Sequence, residues 1–134
     1  VMKMILHTDG GARGNPGPSG AGVVLSDEKK NVIKELGSYL GVCTNNEAEY
    51  RALILGLDAA QGAGASKLDV YMDSELIVKQ LNGEYKVKKH NMQKYYKEVQ
   101  SHLPAFEDVT FTHIKREKNT HADKLVNEVL DAVN

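Results

Sequence analysis

Along this 134-residue chain the spacing of apolar positions changes period several times, and each change marks an element. An apolar, β-prone run covers 2–8 and stops at Asp9-Gly10-Gly11, a strong breaker, so it reads as a strand followed by a loop. The segment GGARGNPGPSG that follows has enough glycine and proline to forbid regular structure. Strands are expected over 21–25 and 32–40 around the turn DEKKN, and with the first they can make a meander. Over 45–60 the period becomes helical, with Ala48, Ala52, Leu55 and Ala59 on one stripe, until QGAGAS ends it. A short strand over 68–72 stops at Asp73-Ser74, and helical spacing over 75–81 runs to the breaker Asn82-Gly83. Further on, 92–103 reads as a helix closed by Pro104, 109–114 as a strand, and KREKNT as a polar loop. The last helix carries Ala122, Leu125, Val126, Val129, Leu130 and Val133 as a continuous apolar stripe. The order βββαβααβα predicts an α/β fold on a mixed sheet, antiparallel at its start and parallel where helices make the crossovers.

Length and composition narrow the class. The chain is long enough for one core and short for two, so residues 1–134 are expected to form a single domain. Its 41% hydrophobic and 26% charged residues exclude a disordered or fibrous chain. No run approaches a membrane span, no cleavable signal precedes the first motif, and the lone Cys43 excludes an internal disulfide. A cytoplasmic monomer without membrane or protein partner is the expectation. A net charge of −1 argues against nucleic acid until its distribution is considered. Lys79, Lys86, Lys88, Lys89, Lys94 and Lys97 face a single acid, Glu84, in one segment, and Lys115, Arg116 and Lys118 form a second group. A solvated helix face is the plainer reading of that pattern.

Four acids lack a full structural explanation. Asp9 stands where the first strand meets the glycine-rich segment, a place where ligand sites of mixed sheets open, although an Asp before Gly also starts ordinary turns. Thr44-Asn45-Asn46-Glu47 is a capping box, and Glu47 also has Arg51 four residues on, so Glu47 is accounted for. Glu49 shares its helix face with Ala52, Leu53 and Gly56 and so points to the packed side, where a carboxylate needs a partner such as a metal ion. Asp73 can cap the helix that begins after it, or can emerge beside Asp9 if the two strands are parallel neighbours. Asp123 has the same double reading, because Thr120-His121-Ala122-Asp123 looks like a capping box with Asp for Glu.

Four segments, TDGGARGNPGPSGAG at 8–22, TNNEAEYRAL at 44–53, YMDSELIVKQL at 71–81 and REKNTHADKLVNE at 116–128, together resemble the ribonuclease H type 1 family in content and in order. The resemblance implies a ribonuclease H-like five-stranded mixed sheet with helices on both faces. It also implies an endonuclease that hydrolyses the RNA strand of RNA/DNA hybrids and leaves 5′-phosphate and 3′-hydroxyl ends. By the same resemblance Asp9, Glu49, Asp73 and Asp123 hold two Mg2+ ions, with Mn2+ as a substitute. Asn15, Asn45 and Asn46, with the Gly10 and Gly11 amides, would read the minor groove, and Thr44 would touch a DNA-strand phosphate. Lys86, Lys88 and Lys89 would bind phosphates.

The chain departs from the family pattern in three places. The loop before Asp123 lacks the mobile His of many relatives, so Arg116, and less strongly His121, is its expected substitute as a catalytic group. Glu75 stands beside Asp73 at a substrate-binding position where Gln is frequent, and 83–97 is too short for the extra basic helix of some bacterial members. With no added hybrid-binding domain, weak intrinsic affinity is expected. The rival reading, a catalytically silent nucleic-acid binding module on the same fold, predicts the loss of at least one of the four acids, and all four are present.

Overall fold

The computed structural model describes residues 2–133. Five strands form one sheet: β1 (Lys3–Ala12), β2 (Gly17–Asp27), β3 (Val32–Cys43), β4 (Lys67–Met72) and β5 (Asp108–His113). Four helices complete it: α1 (Asn45–Gly62), α2 (Glu75–Leu81), α3 (His90–His102) and α4 (Thr120–Ala132). The strand order is β3-β2-β1-β4-β5, with β1, β2 and β3 antiparallel and β4 and β5 parallel to β1. The expected element order and sheet directions therefore hold. Among the described residues no helix is long and apolar enough to cross a membrane.

The main core lies between the sheet and α1, where Leu6, Val23, Leu25, Leu53, Leu57, Val70 and Met72 are buried. Burying each large aliphatic side chain contributes about 1.5–3 kcal/mol before entropy is counted. Helix α4 covers the opposite face of the sheet, over β2 and its neighbours, through Ala122, Val126 and Leu130. Cys43 is buried and free, as expected of a small apolar residue.

The glycine-rich start differs from the expectation. β1 does not stop at Asp9 but runs to Ala12, and β2 begins at Gly17, so only 13–16 connect them. Gly10 pairs with Ala21 and Gly11 with Gly20 in the antiparallel ladder. The cause is tertiary: glycines that weaken an isolated strand are what let helices sit directly on this one. A Cβ on Gly10 would collide with the Ala48 carbonyl of α1, and one on Gly22 with the Ala122 carbonyl of α4.

Smaller corrections concern helix ends. Asn119, whose side chain makes no capping bond, stands at the N-cap of α4, so Thr120 is already helical and the expected Thr120–Asp123 capping box does not form. α3 begins at His90 rather than 92, and the polar loop before α4 contains a 3-10 turn over Arg116–Lys118.

Candidate active site

Each of the four acids is delivered by a different element. β1 carries Asp9, and β4 runs parallel beside it with His7 opposite Tyr71, so Asp73, just past the end of β4, emerges next to Asp9. Ser74 caps α2 by accepting from the Ile77 amide, so the cap does not need Asp73. Glu49 reaches across from α1, where its burial at 4% exposure fulfils the helix-face expectation. The Gly10 amide donates to Glu49 Oε1 at 2.8 Å and fixes the carboxylate. Carboxylate oxygens of Asp9, Glu49 and Asp73 all lie within 4.8 Å of one another. Asp123, from the first turn of α4, stands at the rim of the same cavity of about 430 Å³.

Crowding acids away from water shifts their protonation. Burial first, and then the charges of Asp73 and Asp123, push the Asp9 pKa up to about 8. Burial, followed by the Asp9 and Asp73 charges, raises Glu49 well above the usual carboxylate range. Asp73 is raised by burial while Arg116 pulls it back. The cluster thus carries an unmet demand for positive charge. Arg116 answers part of it: its guanidinium lies 3.5 Å from Asp123 Oδ1 with the side chain 79% exposed.

Glu47, by contrast, is occupied structurally. Its Oε1 accepts from the Thr44 amide and its own amide donates to Thr44 Oγ1, the complete capping box. The expected ion pair with Arg51 is not made, because Arg51 donates instead to the Leu40 carbonyl at 3.1 Å. A sharp contrast between the neighbours is expected. Glu47→Gln keeps an acceptor for the Thr44 amide and should leave activity and thermal midpoint nearly unchanged. Glu49→Gln keeps an acceptor for the Gly10 amide but removes a charge, and should cost about a hundredfold or more in turnover with no loss of stability. Parallel steady-state assays and melting curves decide it, and the reverse ranking would refute the assignment.

The expected substrate-contact residues divide into three groups. Asn15 Oδ1 accepts from the Asn45 amide at 3.1 Å and Asn45 Oδ1 from the Ala12 amide at 3.2 Å, which ties the β1–β2 connection to the start of α1 at the cavity rim. Gly11 lines the cavity, whereas the Gly10 amide is spent on Glu49 and Thr44 Oγ1 on the cap. Asn46 gathers with Lys86, Lys88 and Lys89 around a separate hollow at the other side of α1's first turn. Two residues fall outside both places. Glu75 points into solvent and pairs with Lys79 at 3.3 Å, and His121 bonds Glu35 of β3 at 2.6 Å, away from the acids, so it does not replace the missing His.

Two residues at the site escaped the reading of the sequence. Asn119, 1% exposed, donates from Nδ2 to the Thr8 carbonyl at 3.0 Å and pins the start of α4 to β1 beside Asp9. Asn127 also lines the cavity, and its spacing of four from Asp123 on a helix was the available signal.

Comparison with known proteins agrees with this geometry. A family described as reverse transcriptase-like matches residues 7–129. The bifunctional protein Rv2228c of Mycobacterium tuberculosis is 43% identical over 132 residues, covering 98% of this chain and 36% of that protein. Ribonuclease HI of Halobacterium salinarum is 39% identical over 125 residues, covering 93% of this chain and 63% of that protein. The crystal structure of LC11-RNase H1 in complex with RNA/DNA hybrid superposes with a TM-score of 0.93 at 45% identity, covering 98% of this chain and 99% of that one. The chain thus spans less than two thirds of the length of either curated relative.

Proposed function

Because this chain belongs to the reverse transcriptase-like family, and within it to the ribonuclease H type 1 proteins, we propose that it is an endonuclease that hydrolyses the RNA strand of RNA/DNA hybrids with divalent cations. The observation that carries this reading is the meeting of Asp9, Glu49 and Asp73 oxygens within 4.8 Å, with Asp123 at the rim and no packing reason for any of them.

The donor set fits a hard cation. All candidate ligands are carboxylate oxygens, which favours Mg2+, or Mn2+ as its substitute, over softer metals. The raised carboxyl groups are those that a divalent charge would return to their ionised form. When bound, such ions supply Lewis acidity at a phosphate and lower the pKa of water, the basis of an in-line hydrolysis that leaves 5′-phosphate and 3′-hydroxyl ends. The chain's own groups do the positioning. Glu49 is locked by Gly10, Asp9 and Asp73 by adjacent parallel strands, and Arg116 adds an exposed positive charge at the open side. Asn15 and Asn45 are exposed and Asn46 is half-buried, and their side-chain amides would meet the groove atoms and 2′-hydroxyls that distinguish a hybrid. We place the enzyme in the cytoplasm as a monomer, a reading supported by its lone, unbridged Cys43.

A labelled hybrid incubated with Mg2+, and separately with chelator, tests the whole reading beside RNA duplex and DNA duplex controls. Cleavage of the RNA strand of the hybrid alone, abolished by chelator, is expected. Cleavage unaffected by chelator, or none in any divalent metal, would overturn it.

The lysine hollow makes a further expectation quantitative. Lys86, Lys88 and Lys89 sit apart from the acids, so they can grip phosphates without touching the reacting one. Their joint replacement by Ala should raise KM, and each lost contact should flatten the salt slope of log K by about 0.9 or less, with turnover largely kept. Arg116→Ala should lower turnover more than affinity. Kinetics at several salt concentrations separate the two, and an unchanged slope in the lysine variant would return that segment to a solvated face.

A further inference from the structure

Asp123 differs from the other three acids. It stands outside their tight cluster, 29% of its side chain is exposed, and its carboxylate is held from two directions. Arg116, almost free in solvent, lies 3.5 Å from Oδ1, while Asn127 Nδ2 donates to Oδ2 at 3.3 Å. Asn127 itself is exposed, so core packing does not demand it, and asparagine is a poor helix former in mid-helix. The ordinary helix-stabilising choice four residues after an acid is a lysine or arginine. A cation there would neutralise Asp123 and compete with any metal ion for its oxygens. A neutral amide orients the carboxylate and leaves its charge available.

We propose that Asn127 is a positioning residue that holds the Asp123 carboxylate toward the acid cavity and thereby sets its affinity for divalent cations. The proposal rests on the metal-dependent reading above and deepens it. The amide holds Oδ2 and so fixes the carboxylate at the edge of the cavity that Asp9, Asp123 and Asn127 line together. Without the amide, the carboxylate keeps its contact with Arg116, 3.5 Å from Oδ1, but loses the bond that fixes its orientation. Partners of this outer kind typically change metal affinity by about tenfold to a hundredfold.

Mn2+ binding to the protein without nucleic acid, measured by calorimetry, tests it. Asn127→Ala should raise the Mn2+ Kd about tenfold, and Asn127→Gln, which can still bond an acid four residues back, should recover most of that loss. In chelator the thermal midpoint of Asn127→Ala should stay level or rise, since alanine is the better helix former. KM for the hybrid at saturating Mn2+ should not change. On an Asp123→Asn background, Asn127→Ala should have no further effect, because the residue acts through Asp123. An unchanged Mn2+ Kd, an equal loss on the Asp123→Asn background, or a defect confined to hybrid KM would overturn the proposal. A wild-type protein that bound no Mn2+ would overturn the metal reading together with it. If the wild type bound Mn2+ yet left hybrids intact, only the substrate reading would fail, and the ratio of the two Kd values would still decide the role of Asn127.

Discussion

Replacing Asp9 by Asn should lower hybrid cleavage by about a thousandfold, the scale of losing one preorganised charge at a reacting centre, while making the metal-free protein more stable at pH 8. The two effects share one cause. Burial and the neighbouring Asp73 and Asp123 raise the Asp9 pKa to about 8, far above its value in the unfolded chain. The folded state therefore binds a proton that the unfolded state has released. That stabilisation is complete below pH ~4 and is lost as the pH climbs toward 8. Asn removes the titration, so the variant's thermal midpoint should vary less with pH and exceed that of the wild type by roughly 5 °C at pH 8 in chelator. Added Mg2+ should raise the wild-type midpoint and barely move the variant's. Melting curves from pH 5 to 8, with and without Mg2+, check this together with a cleavage assay. Retention of near-normal activity would disprove the assignment of Asp9, and a wild-type stability that rose with pH would disprove the charge crowding.

The largest structural effect is expected at Gly10. A methyl group there meets the Ala48 carbonyl and the Glu49 amide, both backbone groups in the first turns of α1 that cannot step aside. Gly10→Ala must therefore separate α1 from β1, at a cost of about 3 kcal/mol or more. The separation also breaks the 2.8 Å bond from the Gly10 amide to Glu49, so the surviving folded protein should lose activity as well. Gly62, the last residue of α1, is the control. An added methyl group there touches nothing within 4 Å, and Gly62→Ala should be neutral or stabilising by up to ~1 kcal/mol. Chemical denaturation of both variants would test the contrast, and equal stabilities would show that the helix does not rest on the strand as described.

Much of this is legible in the sequence because periodicity is local. The face shared with Ala52, Leu53 and Gly56 is enough to separate Glu49 from Glu47, and α2 falls at its expected bounds. The glycine-rich segment is not legible in this way, for the opposite reason. Whether Gly10, Gly11 and Gly20 break a strand or extend one depends on the helices laid over them, which lie far away in sequence. The same holds at the end of the chain. Asn119 and Thr120 can both cap a helix on composition, and only the bond from Asn119 to the Thr8 carbonyl, across the fold, decides between them. His121 and Glu35 likewise meet only because α4 crosses over toward β3.

That the acids come from β1, α1, β4 and α4 also has a meaning in time. A chain emerging from the ribosome can assemble the sheet and α1, and bring Asp9, Glu49 and Asp73 together, while Asp123 is still unmade. If all four acids are needed, such an incomplete chain cannot cut nucleic acid, because the fourth is carried by α4, made after the five strands. During refolding, returning cleavage activity would then report the seating of α4 on Gly20 and Gly22, which signals of collapse and sheet formation do not require.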